Sequence, residues 1–355
     1  MTKWICGFLI TALLLSAYLP FLNPGSYWPA GFAALIFPLV FIGVALTLPC
    51  WLFLKRQYIW WILGALVLCT GPALQTWGVR FLNENNPVSP AAGQFSIMTY
   101  NTSSMGVTNF KVNPAMRAGV YDMVRATSPD ILCMQEFYTN DKPDLSRNID
   151  SLRKIGRYPY HYFTCDWTAW NTWYYGIVLF SRYPVVAAAN IPCNSNAVGS
   201  GRSILQADVL LNGDTIRIFS AQLISYMLHR DDFEQLKSLR SVNLIRKMKR
   251  TFAERAEQAK LLAALVAASP YPAVVCADLN DTPASYTYRT VSSGLQDAFL
   301  QSGSGWGRTL SYLSPTLRID YILPQHRFSV HSCKVFRMPL SEHYPVMARL
   351  SLKKH

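Results

Sequence analysis

The sequence predicts an α/β sandwich, two packed mixed β-sheets flanked by helices, preceded by three transmembrane helices. Three observations carry this reading. Residues 1–80 contain none of the 20 acidic residues and hold three long apolar runs. Beyond them, short apolar runs that end in polar residues recur at strand length. Helical patterns interrupt those strands without a regular strand–helix–strand rhythm, which favours two stacked sheets over a doubly wound one.

The apolar runs are 4–22 (WICGFLITALLLSAYLPFL), 28–54 (WPAGFAALIFPLVFIGVALTLPCWLFL) and 58–79 (YIWWILGALVLCTGPALQTWGV). Each reaches the ~20 residues that cross a bilayer as a helix. Buried helices of a soluble domain would not leave three successive runs without a polar face. The first run follows Lys3, as a signal peptide would, but no Ala-x-Ala-like site closes it, so a retained anchor is the preferred reading. Lys3 and Lys55-Arg56 fall on one side after two crossings, and the 23–27 connection NPGSY is uncharged. The cationic side is expected to be cytoplasmic. Residues 81–355 then face outward, and the expected location is a bacterial inner membrane.

The net charge is +13, and Lys3, Lys55, Arg56 and Arg80 account for the cations of residues 1–80, leaving +9 beyond. Such a surface suits polyanions, either nucleic acid or anionic headgroups, and serves equally as a solubilising surface. Cys133 and Cys276 sit inside apolar strand patterns and read as core thiols. Cys165, Cys193 and Cys333 have no metal-like spacing, and a disulfide among them stays open.

Residues 81–94 (FLNENNPVSPAAGQ) read as a linker. Expected strands follow at 95–101 (FSIMTYN), 130–136 (DILCMQE), 175–182 (YGIVLFSR), 203–211 (SILQADVLL), 215–223 (TIRIFSAQL), 273–281 (AVVCADLND), 318–323 (RIDYIL) and 345–352 (PVMARLSL). Several are apolar on both faces, as strands covered on both sides must be. Residues 113–127 begin Asn-Pro, a cap followed by proline in the first turn, and read as a helix. Residues 231–268 read as a second, long helix whose RKMKR stretch (246–250) is either a solvated face or a contact for membrane or nucleic acid. The aromatic-rich stretch 160–176 is either a stacking rim for bases or lipids or packing between sheet and helix.

Five strand ends carry polar groups: Asn101, Gln135-Glu136, Asp278 with Asn280, Asp320, and Glu342-His343. Each alone is an ordinary turn or surface residue; the repetition lets one sheet end point them into a common cleft. Hydrolysis of a phosphate ester needs its anionic charge neutralised and a water activated. A hard divalent cation on carboxylate and substrate oxygens supplies the first, with Glu136 the best ligand and Asn101 beside it. Asp278 is placed to deprotonate the water and Asn280 to position it or donate to the phosphate. His343 would stabilise phosphoryl oxygens or move a proton, with Asp320 fixing its tautomer.

The ordered set YN (100–101), QE (135–136), GIVLFSRYPV (176–185), ADLNDTP (277–283), RIDYIL (318–323) and SEHYPV (341–346) resembles the endonuclease/exonuclease/phosphatase superfamily, the deoxyribonuclease-like fold. The likeness covers roughly residues 94–353. It implies a four-layer αββα sandwich, a divalent metal, Mg²⁺ (or Mn²⁺), and hydrolysis of phosphate esters; the substrate stays open, since nucleic acid fits the +9 body and a phospholipid headgroup fits the three membrane spans. It matches the family's metal-ligand Glu to Glu136, its Asn to Asn101, its Asp-x-Asn to Asp278 and Asn280, and its Asp–His pair to Asp320 and His343.

Two positions depart from the family. Ser341-Glu342-His343 replaces the usual Ser-Asp-His; the extra methylene of Glu342 keeps a metal-ligand charge with shifted geometry. In FSAQLIS (219–225), Gln222 stands where many members carry His. Gln222 can donate to a phosphate oxygen but cannot shuttle a proton. These departures are the features that speak for the alternative reading, a catalytically weak or silent domain that binds phosphate ligands or a partner; against it stand Glu136, Asp278, Asn280, Asp320 and His343, and the hydrolase is the leading reading.

Overall fold

In a computed structural model the described residues are 2–54, 56–79, 93–108, 110–142, 146–193, 201–226, 241–312, 314 and 316–353. The N-terminal helices are α1 (Thr2–Tyr18), α2 (Pro29–Leu46), α3 (Leu48–Leu54), α4 (Gln57–Leu68) and α5 (Thr70–Thr76). Two continuous helical stretches are long and apolar enough to cross a membrane, Thr2–Phe21 and Pro29–Phe53. This corrects the expectation of three. The third run is a pair, α4 and α5, bent by 54°. Pro72 is the cause: its ring conflicts with the carbonyl four residues back, that of Leu68. The Leu68 carbonyl instead accepts the Tyr18 hydroxyl at 2.6 Å.

The remainder runs β1 (Gly78–Val79), β2 (Gln94–Asn101), β3 (Val107–Thr108), β4 (Lys111–Val112), α6 (Pro114–Thr127), β5 (Ile131–Asn140), α7 (Asn148–Gly156), β6 (Tyr160–Phe163), β7 (Trp167–Ala169), β8 (Trp173–Ser181), β9 (Val185–Pro192), β10 (Ser203–Leu211) and β11 (Asp214–Gln222). After these come α8 (Ser241–Ala267), β12 (Ala273–Asp278), α9 (Tyr286–Ser292), α10 (Ala298–Ser302), β13 (Ser304–Gly305), β14 (Asp320–Pro324), β15 (Phe328–Val335) and β16 (Val346–Leu352). All eight expected strands are present. The expected linker lies, but for its last two residues, outside the described residues, as do residues 231–240 of the expected long helix. Asn113 caps α6, accepting from the Met116 amide at 3.1 Å.

One sheet has the order β14-β12-β11-β10-β9; the other has β15-β16-β2-β5-β8-β6, with β7 also on β8. Alternate residues of each strand face opposite ways, and this period builds four layers. Ile97, Ile131 and Cys133 of one sheet meet Ile218, Val274, Cys276 and Ile322 of the other in the central core. Met98, Leu132 and Val178 face outward beneath Val120 and Val124 of α6 and Leu152 of α7. Phe219, Val275 and Leu323 face outward beneath Leu262 of α8 and Tyr288 of α9. All eight cysteines are free thiols, so none of Cys165, Cys193 and Cys333 is paired.

The same period fixes the inner-facing residues at one end of the sandwich. Counting by two from the core residues reaches Asn101 on β2, Gln135 on β5, Gln222 on β11, and Asp278 on β12; Asp320 precedes Ile322 on β14. The register agrees, with Asn101 beside Gln135, Gln222 beside Asp278, and Asp278 opposite Asp320.

Candidate active site

Asn101 is the hub. Its Nδ2 donates to Glu136 Oε1 at 3.0 Å and to Asp278 Oδ2 at 2.9 Å, while its Oδ1 accepts the Ser103 amide at 3.0 Å. Glu136 reaches this point through a bulge: the β5–β8 register shifts between Met134 and Phe137, and Glu136 takes a φ of 46°. A left-handed conformation is costly for a residue with a Cβ and marks a position held by its surroundings. Gln222 Nε2 donates to the same Glu136 oxygen. Among the described residues nothing donates to Oε2 of Glu136.

Beneath them Gln135, fully buried, ties the sheets together. Its Nε2 donates to Thr99 Oγ1, Ser220 Oγ and the Cys276 carbonyl at 3.1, 3.0 and 3.3 Å. Asn280 adopts φ 50°, which asparagine tolerates. Its amide donates to Asp278 Oδ1 at 2.9 Å, and its side chain donates to the Leu223 carbonyl at 2.8 Å.

His343 lies in the loop before β16. Its Nδ1 is 3.0 Å from Asp320 Oδ2, and its Nε2 faces Asp278 Oδ2 at 3.9 Å. Ser341 holds the loop in place, accepting the His343 amide and donating to the Asn101 carbonyl, each at 2.8 Å. Thr309 Oγ1 accepts the Asp320 amide at 3.1 Å, and its carbonyl accepts the Tyr344 amide at 2.7 Å. Burial, then repulsion by Asp320, pushes the Asp278 carboxyl up to about 7. For His343 burial opposes the charged ring, but Asp320 and Asp278 prevail and raise it to about 10.

Glu342 stands at the exposed rim, where its Oε2 accepts the Tyr312 hydroxyl at 3.3 Å. Burial, followed by the Glu342, Glu136 and Asp278 charges, raises that hydroxyl to about 12. Beside the cluster a cleft of about 830 Å³ is walled by Ser103, Lys111, Leu340, Ser341 and Glu342 and is not lined by Asp278 or Glu136. Every residue singled out in the sequence therefore lies at one end of the sandwich. Tyr312, Ser341, Thr309 and Ser220 went unassigned; of these, Ser341 and Ser220 stood inside the quoted motifs SEHYPV and FSAQLIS.

Asp278, Asp320 and His343 offer ligand atoms within 4.8 Å of one another. A hard cation prefers oxygen ligands, and His343 Nδ1 is committed to Asp320. Asp278 and Asp320 gather against one imidazole, and Glu136 is joined to them through Asn101, a donor set whose carboxylates fit a divalent cation.

A two-sheet sandwich with carboxylates, amides and one imidazole at its strand ends is the architecture of a phosphoester hydrolase. The endonuclease/exonuclease/phosphatase family model matches residues 98–343, and the chain belongs to that family. A domain of unknown function (DUF8431) matches residues 1–76. No curated protein matches the chain. An endonuclease/exonuclease/phosphatase from Beutenbergia cavernae is similar at 21% identity and TM-score 0.54, over 73% of this chain and 72% of that one. The human Nocturnin catalytic domain with bound sulfate is similar at 19% identity and TM-score 0.53, over 75% and 96%. D. rerio TDP2 complexed with single strand DNA product is similar at 14% and 0.52, over 73% and 99%. At these identities the likeness is one of fold.

Proposed function

We propose that the chain is a membrane-anchored, divalent-metal-dependent hydrolase of phosphate esters, its body extracytoplasmic. The observation that carries this is the hydrogen-bonded line Glu136–Asn101–Asp278 meeting the Asp320–His343 pair. Glu136 would hold Mg²⁺ or Mn²⁺, with Asn101 beside it and Glu342 at the rim. The cation would neutralise the ester oxygens and lower the cost of forming the attacking hydroxide.

Asp278 takes the water proton, a role that its raised pKa suits near neutral pH. Asn280, fixed by the Leu223 carbonyl, orients that water or the phosphate. Asp320 holds Nδ1–H of His343, so that Nε2 presents positive charge to phosphoryl oxygens. Gln222, committed to Glu136, supports the ligand carboxylate and carries no proton.

The test is Mg²⁺-dependent turnover of bis(p-nitrophenyl) phosphate by the full-length protein. Turnover lost in Asp278→Ala and His343→Ala is the expected result. Absence of turnover with either metal would favour the silent phosphate-binding reading.

A further inference from the structure

The end of the sandwich that bears the site is the end that meets the N-terminal helices. Thr282, four residues past Asp278, donates its hydroxyl to the Ala34 carbonyl of α2 at 3.2 Å. Ala284 is buried in the apolar cluster of α1, α2 and α4. Arg318, two residues before Asp320, donates to the Gln75 carbonyl of α5 at 3.1 Å. Both strands that carry the paired aspartates are therefore pinned by the helices beside their catalytic ends. β1 adds a two-stranded pairing with β13, and the Phe252 ring lies so close to Gly31 that an added Cβ would come within 2.5 Å of it.

The depth of this contact can be read from the helix. The stretch Pro29–Phe53 has 25 residues. At 1.5 Å each it spans about 37 Å, more than the ~30 Å hydrocarbon core. Exposed Phe21, Tyr27 and Trp28 mark its outer end as an aromatic belt at headgroup level. Ala34 lies about five residues inside that end. Four residues of chain reach at most about 14 Å, so Asp278 lies within that distance of the contact. The basic stretch 246–250 lies at the same level, with Lys249 Nζ 4.6 Å from the Trp28 ring centroid. Such cations are drawn to an anionic leaflet, which repels nucleic acid.

We propose that the substrate is the headgroup phosphate ester of a lipid in the bilayer that holds the helices, which keep the site at the membrane surface. This rests on the hydrolase reading above. Water adds to phosphorus, the ester P–O bond breaks, and the proton lost by water ends on the departing alcohol, leaving a phosphomonoester.

The full-length protein is reconstituted with Mg²⁺ in galactolipid vesicles that carry phosphatidylglycerol, phosphatidylethanolamine or a polyprenyl phosphate ester in turn. Single-stranded DNA, RNA and bis(p-nitrophenyl) phosphate form the soluble arms. One of the lipids is expected to turn over in proportion to its mole fraction in the protein's own bilayer, and not when it is confined to separate vesicles. Nucleic acids should be at least on the order of tenfold slower. Cleavage of nucleic acid and the soluble diester with no turnover of any of the lipids overturns the lipid assignment and leaves the hydrolase reading standing. Silence in all arms overturns both. Gly31→Leu, which wedges α2 from Phe252, should lower the ratio of lipid to soluble-diester turnover on the order of tenfold; an unchanged ratio counts against the assignment.

Discussion

Asp278 lies directly opposite Asp320 in the antiparallel pairing of β12 and β14, and each faces one nitrogen of His343. Two buried carboxylates thus share one ring. The arrangement favours a protonated imidazole and a reluctant Asp278 anion, and it ties stability to activity.

Asp278→Asn should show that conflict. The native carboxyl titrates near 7 because the folded state disfavours its charge, so above that pH a neutral isostere removes a net cost. Metal-free Asp278→Asn should gain about 1–3 kcal/mol at pH 8, seen as a higher Tm. Its turnover should fall about 10²–10⁴-fold, as expected on losing a general base. A variant both less stable and inactive would indicate that Asp278 is structural.

His343 sets a pH window for stability. Its folded pKa, about 10, exceeds the ordinary 6.5. The stabilisation is therefore full below about pH 6.5 and lost as pH rises toward 10. With chelator present, Tm of the native protein should fall across that window by the equivalent of a few kcal/mol, and His343→Asn should flatten the fall. Parallel curves for the two proteins would contradict the ring's charged state.

Glu136→Gln keeps the shape of the side chain but removes the negative charge that draws a hard cation. The Mg²⁺ concentration for half-maximal turnover should rise about 10–100-fold, while the melting curve moves little. Mg²⁺ titration followed by bis(p-nitrophenyl) phosphate hydrolysis reads both ends of this claim. An unchanged requirement would shift the cation toward the Asp278, Asp320 and His343 group.

Gln222→His restores the imidazole common in the family. If the missing ring serves as leaving-group acid, the variant should speed unactivated diesters about tenfold or more and nitrophenyl esters little. An equal gain on both would point instead to altered support of Glu136, the acceptor of the Gln222 amide.

The inward set Asn101, Asp278 and Asp320 was legible because strands alternate, and AVVCAD or FSIMTYN fixes which face is which. Nothing in DILCMQEFYTN marks the bulge that turns Glu136 inward, since a bulge depends on the partner strand. Tyr312 and Thr309 lie in a segment with no periodic pattern. Their roles come from contacts with residues outside that segment, Glu342 for Tyr312 and Asp320 and Tyr344 for Thr309. Edge strand β9, VVAAANIP, is weak in strand-forming residues at its alanines. The 160–176 aromatics divide: Trp173 is buried against Tyr138, whereas Trp170 is 65% exposed and stacks edgewise on Phe110. The break in the third apolar run was written as Thr-Gly-Pro at 70–72, but hydropathy passes through it because no charge interrupts it.

The seam between helices and sandwich also bears on biogenesis. Phe252, Ala284 and Trp306 are apolar surfaces completed by Gly31, the α1–α2–α4 cluster and Trp77. A fragment begun at β2 would bare them to water and strip Arg318 of a carbonyl partner, so it should aggregate on expression. The ribosome delivers residues 2–79 first, and the body that follows matures against a template already in place.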